Sequence, residues 1–205
     1  MKKTLIINVK MNKGVQKTVY TSNDSSIPVS DTPVVYPIME FLEMTLGKED
    51  EVEAILIAKG NAQLDCEENI QVCREELRAV SEKTGARIFT DVINTPFDED
   101  IDTHNKLLLD IVKHIEIGSN ITADMTYGPK DLAIVLFSAL SFAEKFCECE
   151  IDNIMYGKAE FKDGKVVNTT ICEMAPLFYL NAVANKVYCD TPEEALGMLE
   201  KVLNM

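Results

Sequence analysis

Residues 121–130 read Ile-Thr-Ala-Asp-Met-Thr-Tyr-Gly-Pro-Lys, which indicates a strand, a tight turn and the start of a helix in direct succession. Pro129 suits the first position of a helix, because its missing N–H group costs nothing there. Gly128 lets a ligand approach the backbone closely, and a helix N-terminus presents unpaired N–H groups and the positive end of a dipole. We therefore expect an anion such as phosphate at this turn, with Lys130 as the cation beside it. A capping glycine and a solvated lysine would give the same pattern without a ligand.

The bulk composition is that of a globular α/β protein rather than a membrane protein. The chain has 205 residues, of which 46% are hydrophobic and 26% charged. No apolar run is long enough to span a bilayer. The N-terminal apolar run meets Lys10 without a small-residue cleavage site, so we interpret it as a first strand and not as a signal peptide. We expect a cytoplasmic protein that does not bind membranes.

The net charge of −14 argues against binding of long nucleic acid through a basic surface. The charge is nevertheless uneven, because residues 1–23 contain no acidic residue but do contain Lys2, Lys3, Lys10, Lys13 and Lys17. Such a basic segment suits a small anionic ligand, although a solvated strand and loop give the same pattern.

The cysteines and histidines do not show the spacing of a metal site. No CxxC pair occurs among the six cysteines, which we interpret as reduced core thiols. His104 and His114 are ten residues apart and cannot form an i, i+4 metal pair, so we interpret both as surface or boundary residues. We expect neither a metal nor a cofactor.

Strand-like runs alternate with helix-like segments, which predicts an α/β fold with a Rossmann-like, mostly parallel sheet and helices on both faces. The predicted strands are Leu5–Val9, Ala54–Ala58, Arg87–Ile93, Ile121–Asp124 and Ile151–Tyr156. The predicted helices are Pro37–Leu46, Glu67–Thr84, Ile101–Ile117, Pro129–Cys147, Glu173–Lys186 and Pro192–Leu203. Asp163-Gly164 predicts a C-terminal β-hairpin. We expect a ligand-binding domain over residues 1–170 and a helical extension over residues 171–205.

Ligands of such sheets bind beyond the carboxyl ends of the strands. Asn8–Lys13 and Asp124–Lys130 both follow predicted strands, so we expect them on one edge of the sheet. A long polar loop is predicted over Tyr20–Val35, on the same side.

The predicted helix Pro129–Cys147 is apolar nearly all round. Its main stripe has a period of 3.6 residues and consists of Leu132, Val135, Leu136, Ala139, Leu140, Ala143 and Phe146. Further apolar residues, Ala133, Ile134, Phe137 and Phe142, lie on its other sides. We expect one face in the core and another in a homodimer interface.

Three blocks of the chain resemble the CRISPR-associated Rossmann fold (CARF) domain: Ile121–Leu132, Ile154–Glu160 and Thr170–Leu177. The first block follows the signature Asp-x-Thr-x-Gly-x-Arg/Lys of one subgroup, and the second matches its Tyr-Gly strand end. The resemblance covers about residues 1–188 and is more specific in the second half. It implies a domain that binds cyclic oligoadenylate, the second messenger of type III CRISPR systems, across the two-fold axis of a homodimer. The ring would contain four or six adenylates (cA4 or cA6).

The resemblance also indicates which residues face the ligand. Tyr127 stands where the subgroup usually has His, and Lys130 stands where it often has Arg, which keeps the charge but loses bidentate geometry. Residues 9–17 lack the Gly-Thr or Ser pattern of many members. The expected ligand-binding residues are Asn8, Lys10, Thr126, Tyr127, Gly128, Pro129 and Lys130.

Most effectors of the family carry a C-terminal HEPN nuclease with an Arg-x4-6-His motif, and neither histidine of this chain follows an arginine at that spacing. We therefore expect a stand-alone CARF protein, or else the sensor part of a longer effector. A stand-alone protein would either only bind the messenger or cleave it as a ring nuclease.

Cleavage would not require a metal, because a ribose 2′-OH can attack the adjacent phosphate while Lys130, Asn12 and Lys13 position it and stabilise charge. No histidine is expected nearby as a general base, so the reaction would be slow. A third hypothesis is an unrelated Rossmann-like regulator, although the chain has neither GxGxxG after its first strand nor a P-loop.

Overall fold

A computed structural model describes residues 2–12, 14, 16–60, 66–163, 165–186 and 189–203. The strands are β1 (Lys2–Asn8), β2 (Thr21–Ser22), β3 (Glu51–Gly60), β4 (Arg87–Pro96), β5 (Asn120–Asp124), β6 (Glu150–Lys162) and β7 (Lys165–Glu173). The helices are α1 (Ile38–Thr45), α2 (Glu67–Thr84), α3 (Ile101–His114), α4 (Lys130–Phe146), α5 (Ala175–Lys186) and α6 (Pro192–Leu203). The predicted alternation of strands and helices is confirmed.

The described strands form one sheet in the order β2-β7-β6-β5-β1-β3-β4. Every neighbouring pair is parallel except β6 and β7, which form an antiparallel hairpin. The hairpin turns at Asp163, whose φ is 51°, and the adjoining Gly164 lies outside the described residues. The protein therefore has the predicted α/β fold with a Rossmann-like, mostly parallel sheet.

The strand order reverses at β1, which lies between β3 on one side and β5 on the other. At the carboxyl end of this pair, Ile7 of β1 is the register partner of Asp124 of β5. Such a reversal separates the loops that follow the two strands, and ligands of open α/β sheets bind in the resulting crevice. The topology thus brings the two predicted ligand-binding segments to one crevice.

Helices cover both faces of the sheet. Leu5, Ile7 and Val9 belong to one buried cluster with residues of α1 and α2, such as Leu42 and Leu77. Side chains alternate along a strand, so Thr4, Ile6 and Asn8 lie on the opposite face. The buried residues of α3 and α4 lie outside that cluster and cover this second face.

The predicted stripe of α4 is buried at Leu132, Val135, Leu136, Ala139, Leu140 and Ala143. Phe146 is an exception, since it is 62% exposed at the end of the helix and packs on Phe142, with 4.8 Å between ring centroids. The buried part of the stripe therefore ends at Ala143, one turn before the end of the helix.

Residues 20–35, predicted to form a long polar loop, bury several apolar side chains. Tyr20, Ile27, Val34 and Val35 are buried, and the segment contributes the short edge strand β2 beside β7. A hydrogen-bonded bridge between Thr18 and Val34 closes the base of the segment. The segment is therefore a packed part of the domain.

Contacts divide the chain into a unit of residues 1–174 and a second unit of residues 175–205. The predicted boundary lies after residue 170, whereas β7 continues to Glu173. The second unit contains α5 and α6, and α5 begins at Ala175 rather than at residue 173. None of the described helices is long and apolar enough to cross a membrane.

Candidate functional site

The turn between β5 and α4 has the geometry of an anion site. Gly128 has a φ of +99°, and a Cβ placed there would lie 2.7 Å from Leu132 Cδ2, so both backbone conformation and space favour glycine. Pro129 is the N-cap residue of α4, and no side chain caps the helix. The first N–H groups of a helix have no intrahelical partner. Lys130, the first residue of α4, is exposed beside them.

The carboxylate of Asp124 accepts hydrogen bonds from the backbone of this turn and of α1. Its Oδ1 accepts a hydrogen bond from Thr126 N at 2.8 Å, and its Oδ2 accepts one from Ile38 N at 3.4 Å. One carboxylate therefore holds the turn and also caps the start of α1. Burial raises the pKa of Asp124 to about 6, although these hydrogen bonds act in the opposite direction. Asp124 therefore stabilises the backbone of the turn.

Thr126 and Tyr127 make contacts within the chain. Thr126 Oγ1 accepts a hydrogen bond from Gly157 N at 2.8 Å, which ties the turn to β6. The Tyr127 hydroxyl donates to Val35 O at 2.8 Å, and its ring packs edge-on against Tyr36, with 5.5 Å between centroids. Tyr127 thus joins the turn to the segment before α1, and this leaves Gly128 and Lys130 as its outward-facing groups.

Asn8 lies at the carboxyl end of β1, on the face that α3 and α4 cover. It is 1% exposed, and its Oδ1 atom has no hydrogen-bond partner among the described residues. A buried polar atom without a partner is uncommon in folded proteins and marks a position that needs an explanation. Asn8 therefore remains the candidate ligand-binding residue of β1, although its burial is not predicted from the sequence.

The loop after β1 is held by Asn69 of α2, a residue for which the sequence predicts no role. Its side-chain amide donates to Lys10 O at 2.7 Å and to Asn12 O at 3.2 Å. The Lys10 ammonium group donates to Gly14 O, and Asn12 is exposed. Lys13, a predicted catalytic residue, lies outside the described residues. A buried asparagine at helical spacing gives no local signal, so only the fold reveals this role.

The predicted basic segment is divided between the two ends of β1. Lys2 pairs with Glu116 and Lys3 with Asp50 at the amino end of the strand, away from the crevice. Lys17 lies 3.6 Å from Glu76. The described lysines of residues 1–23 therefore do not form one continuous patch, because the seven-residue strand β1 separates Lys2 and Lys3 from Lys10 and Lys17.

Buried carboxylates hold the segment between β1 and α1. Glu76 of α2 accepts hydrogen bonds from Val35 N at 2.9 Å and Tyr36 N at 3.1 Å, and Glu40 of α1 accepts one from Tyr20 N at 2.7 Å. Burial raises the pKa of both groups, that of Glu40 to about 7. Glu40 is fully buried, and its Oε2 atom has no partner among the described residues.

A charged cluster lies under the first turn of α4. Lys59, at the end of β3, is 1% exposed and forms an ion pair with Asp131. His104 Nε2 of α3 lies 2.9 Å from the same Asp131 oxygen. Burial opposes ionisation of Asp131, but the hydrogen bonds from Lys59 and His104 outweigh it and lower its pKa. The expectation that no histidine lies near the turn was wrong, because α3 packs beside α4.

A cavity of about 290 Å³ opens between α3 and α4 next to this cluster. It is lined by His104, Asn105, Leu108, Asp131, Ile134, Val135 and Ser138. Its apolar walls and polar end resemble the lining of small-molecule sites, and its volume is close to their lower limit of about 300 Å³.

Within the part of the chain that the structure describes, no group of three or more His, Cys, Asp or Glu side chains is arranged to hold a metal ion. None of the described cysteines forms a disulfide bond.

Comparison of the sequence with protein-family models and with curated proteins found no match.

Proposed function

We propose that this protein binds cyclic oligoadenylate, a messenger of type III CRISPR defence, as a CARF-type homodimer. The observation that carries the proposal is the reversal of strand order at the carboxyl ends of β1 and β5, where a crevice is expected. There the turn at Gly128, the N-terminus of α4 and the exposed Lys130 lie on the same sheet edge as Asn8, whose Oδ1 atom has no partner among the described residues. The resemblance of three sequence blocks to the CARF domain supplies the identity of the ligand.

The phosphates of the ring are the groups that this edge suits best. A phosphate accepts hydrogen bonds from the first N–H groups of α4 and is stabilised by the helix dipole. Gly128 keeps the approach open, since it lacks a side chain and is exposed. Lys130 adds a charge-assisted contact. Because the chain as a whole carries a charge of −14, such a local site favours a small anion over a long polyanion.

The homodimer is supported by apolar surface on α4. Ile134 is 70% exposed, Phe142 44% and Phe146 62%, although α4 already buries a full stripe against the sheet. Large exposed apolar residues on one helix are typical of interaction surfaces. In a two-fold dimer, two copies of the crevice would face one cyclic ligand, so each subunit would contact half of the ring.

Binding and cleavage are separate proposals. A sensor needs only the crevice, whereas a ring nuclease also needs a group that accepts a proton. The same crevice would serve the sensor part of a longer effector. Isothermal titration with cyclic tetra-adenylate and cyclic hexa-adenylate tests the binding proposal directly, with linear tetra-adenylate as the matched control.

We expect micromolar or tighter binding of one cyclic ring per two chains and weaker binding of the linear form. A ring-to-chain ratio of one, or equal affinity for the linear control, would contradict a two-fold site. Failure of both rings to bind would remove the proposed function and leave the unrelated-regulator hypothesis.

A further inference from the structure

We infer that the free edge of β4 pairs with β4 of a second copy of this chain, antiparallel and about a two-fold axis at Phe89. The inference goes beyond the proposed function, because it concerns the last strand of the sheet and neither the ligand edge nor the exposed face of α4. Three observations carry it: the unpaired backbone groups of β4, the exposed side chains beside them, and the order of charges along the strand.

β4 is a long edge strand with one unpaired side. It has 10 residues and stands last in the sheet, where β3 is its only partner among the described strands. The strand at the other end of the sheet, β2, has only 2 residues. A long exposed edge is a template for pairing with a further strand. β4 is therefore the edge at which this sheet can be extended.

The ladder with β3 shows which backbone groups of β4 point outward. Arg87 N donates to Asp50 O at 3.0 Å, Phe97 N donates to Gly60 O at 2.9 Å, and the register between these bonds has no shift. Alternate residues of a strand direct their N–H and C=O groups to the same side, so the odd-numbered residues of β4 face β3. The even-numbered residues face outward, and these are Ile88, Thr90, Val92 and Asn94.

The outward groups in the middle of the strand are available for pairing. The N–H and C=O groups of Ile88 and Thr90 have no hydrogen-bond partner in the part of the chain that the structure describes. The Val92 N–H donates to the carboxylate of its own neighbour, Asp91, at 2.8 Å. A second strand would supply backbone acceptors for all three N–H groups.

Three side chains on one side of β4 are exposed beside this edge. Phe89 is 50% exposed, and the side chains of Arg87 and Asp91 are 68% and 66% exposed. Arg87 pairs with Glu51, and His114 Nε2 lies 3.3 Å from Asp91 Oδ2. Contacts as exposed as these contribute little to stability, so both charged side chains can change partner.

The charges determine the register. With the two-fold axis at Phe89, Arg87 of each copy lies directly opposite Asp91 of the other, because both residues are equally far from the axis. Opposite charges at opposed positions stabilise an antiparallel pair, and the symmetry forms this ion pair twice. Between the ion pairs, the Phe89 rings of both copies meet at a non-hydrogen-bonded position, where opposed Cα atoms are about 4.5 Å apart and side chains are closest.

The same register satisfies the backbone. Ile88 comes opposite Thr90 of the other copy, and since both direct their N–H and C=O groups outward, the two residues exchange a pair of hydrogen bonds. Neighbouring registers are less favourable. An axis at Thr90 places Phe89 opposite Asp91, and an axis at Asp91 places two carboxylates opposite each other, which is destabilising.

A contact made by one short stretch of strand is small. We therefore expect it at chain concentrations of about 100 µM and above, in contrast to the micromolar range expected for the α4 contact. The β4 contact would then join α4 dimers into larger assemblies.

Charge reversal in the full chain tests the inference, in a parent that carries Phe142→Glu/Phe146→Glu to remove the α4 contact. Arg87→Glu opposes two acidic side chains, and Asp91→Arg opposes two basic ones. Each should raise the dissociation constant of the parent dimer about tenfold or more, measured by sedimentation velocity up to about 200 µM. Arg78→Glu, on the exposed side of α2, makes the same change of charge and should leave the dimer intact.

Mixing the two single variants gives a readout that a general effect of charge would not give. In a mixed pair both opposed positions again carry opposite charges, so an equimolar mixture should recover the dimer. The double variant Arg87→Glu/Asp91→Arg should dimerise by itself for the same reason. Circular dichroism checks that each variant is folded.

A parent that stays monomeric at about 200 µM would overturn the inference and show that a second copy does not cover this edge. Undiminished dimers of both single variants, or a mixture that stays monomeric, would overturn it as well. Ring binding is measured separately, on Arg87→Glu in a chain that keeps Phe142 and Phe146, and should equal that of wild type. Absence of ring binding in both proteins would contradict the proposed function and leave this inference standing.

Discussion

Lys59 at the end of β3 and Asp131 in the first turn of α4 form an ion pair, and the Lys59 side chain is only 1% exposed. The pair ties the start of α4 to the sheet below it. Since Lys130 directly precedes Asp131, the same pair also sets the position of the proposed phosphate contact.

We expect Lys59→Met to destabilise the protein by about 3–5 kcal/mol, because it leaves the Asp131 carboxylate without its cation. The double variant Lys59→Met/Asp131→Asn removes both charges and should recover most of that loss. Urea unfolding of the wild type, both single variants and the double variant measures the coupling. Additive effects would show that the two side chains stabilise the fold independently.

Lys130→Ala should weaken cyclic oligoadenylate binding by about 1.5–3 kcal/mol per site, because one charge-assisted phosphate contact is lost. Lys145→Ala is the control, since Lys145 lies in the last turn of the same helix. Titration calorimetry at two salt concentrations measures the affinity and its ionic component. An equal effect of both substitutions would indicate a general charge effect instead of a contact at the crevice.

Phe142→Glu/Phe146→Glu should convert a dimer into a monomer, because the two rings form an exposed apolar pair on α4. Ile117→Glu is a suitable control, since Ile117 is 71% exposed but lies beyond the end of α3. Light scattering at micromolar concentration gives the mass of each variant. A wild type that is monomeric at all concentrations contradicts the proposed homodimer.

Stability should fall as the pH rises from about 4.5 to about 7, because burial raises the pKa of Glu40 from 4.5 to about 7. In that interval the folded state retains a proton that the unfolded state has released, so the free energy of unfolding decreases with pH. The stabilisation that the raised pKa of Glu40 contributes is fully present below pH 4.5 and is lost as the pH passes through 7. Glu40→Gln cannot titrate and should gain about 3 kcal/mol relative to wild type as the pH rises between these limits.

Urea unfolding at pH 4.5 and pH 8 checks this difference, and Glu68→Gln on the exposed side of α2 provides the control. Asp124 and Glu76 shift in the same direction but are present in every variant, so their effects cancel in the comparison. A parallel pH profile for Glu40→Gln and wild type would show that Glu40 does not retain its proton.

If this protein cleaves the messenger, cleavage should continue in EDTA and leave 2′,3′-cyclic phosphate ends. Both oxygens of Asp124, the carboxylate of the turn, already accept backbone hydrogen bonds. Two-metal chemistry needs several convergent ligands, which this turn does not provide. The 2′-deoxy ring should bind and stay intact. Product analysis by chromatography tests this, and hydrolysis of the 2′-deoxy ring would show that water, not the ribose, is the nucleophile.

The sequence by itself determined the fold class and the turn that carries the proposed site. Strands and helices can be predicted from the sequence because they depend on local periodicity. The turn can be predicted as well, because Gly128 and Pro129 restrict the conformation of their own backbone. Tertiary structure alone decided which distant side chains meet. It placed His104 and Lys59 on Asp131, Asn69 under the first loop and Asn8 in the interior. These contacts depend on the strand order and on the pairing of α3 with α4, and neither follows from the spacing of residues within one element.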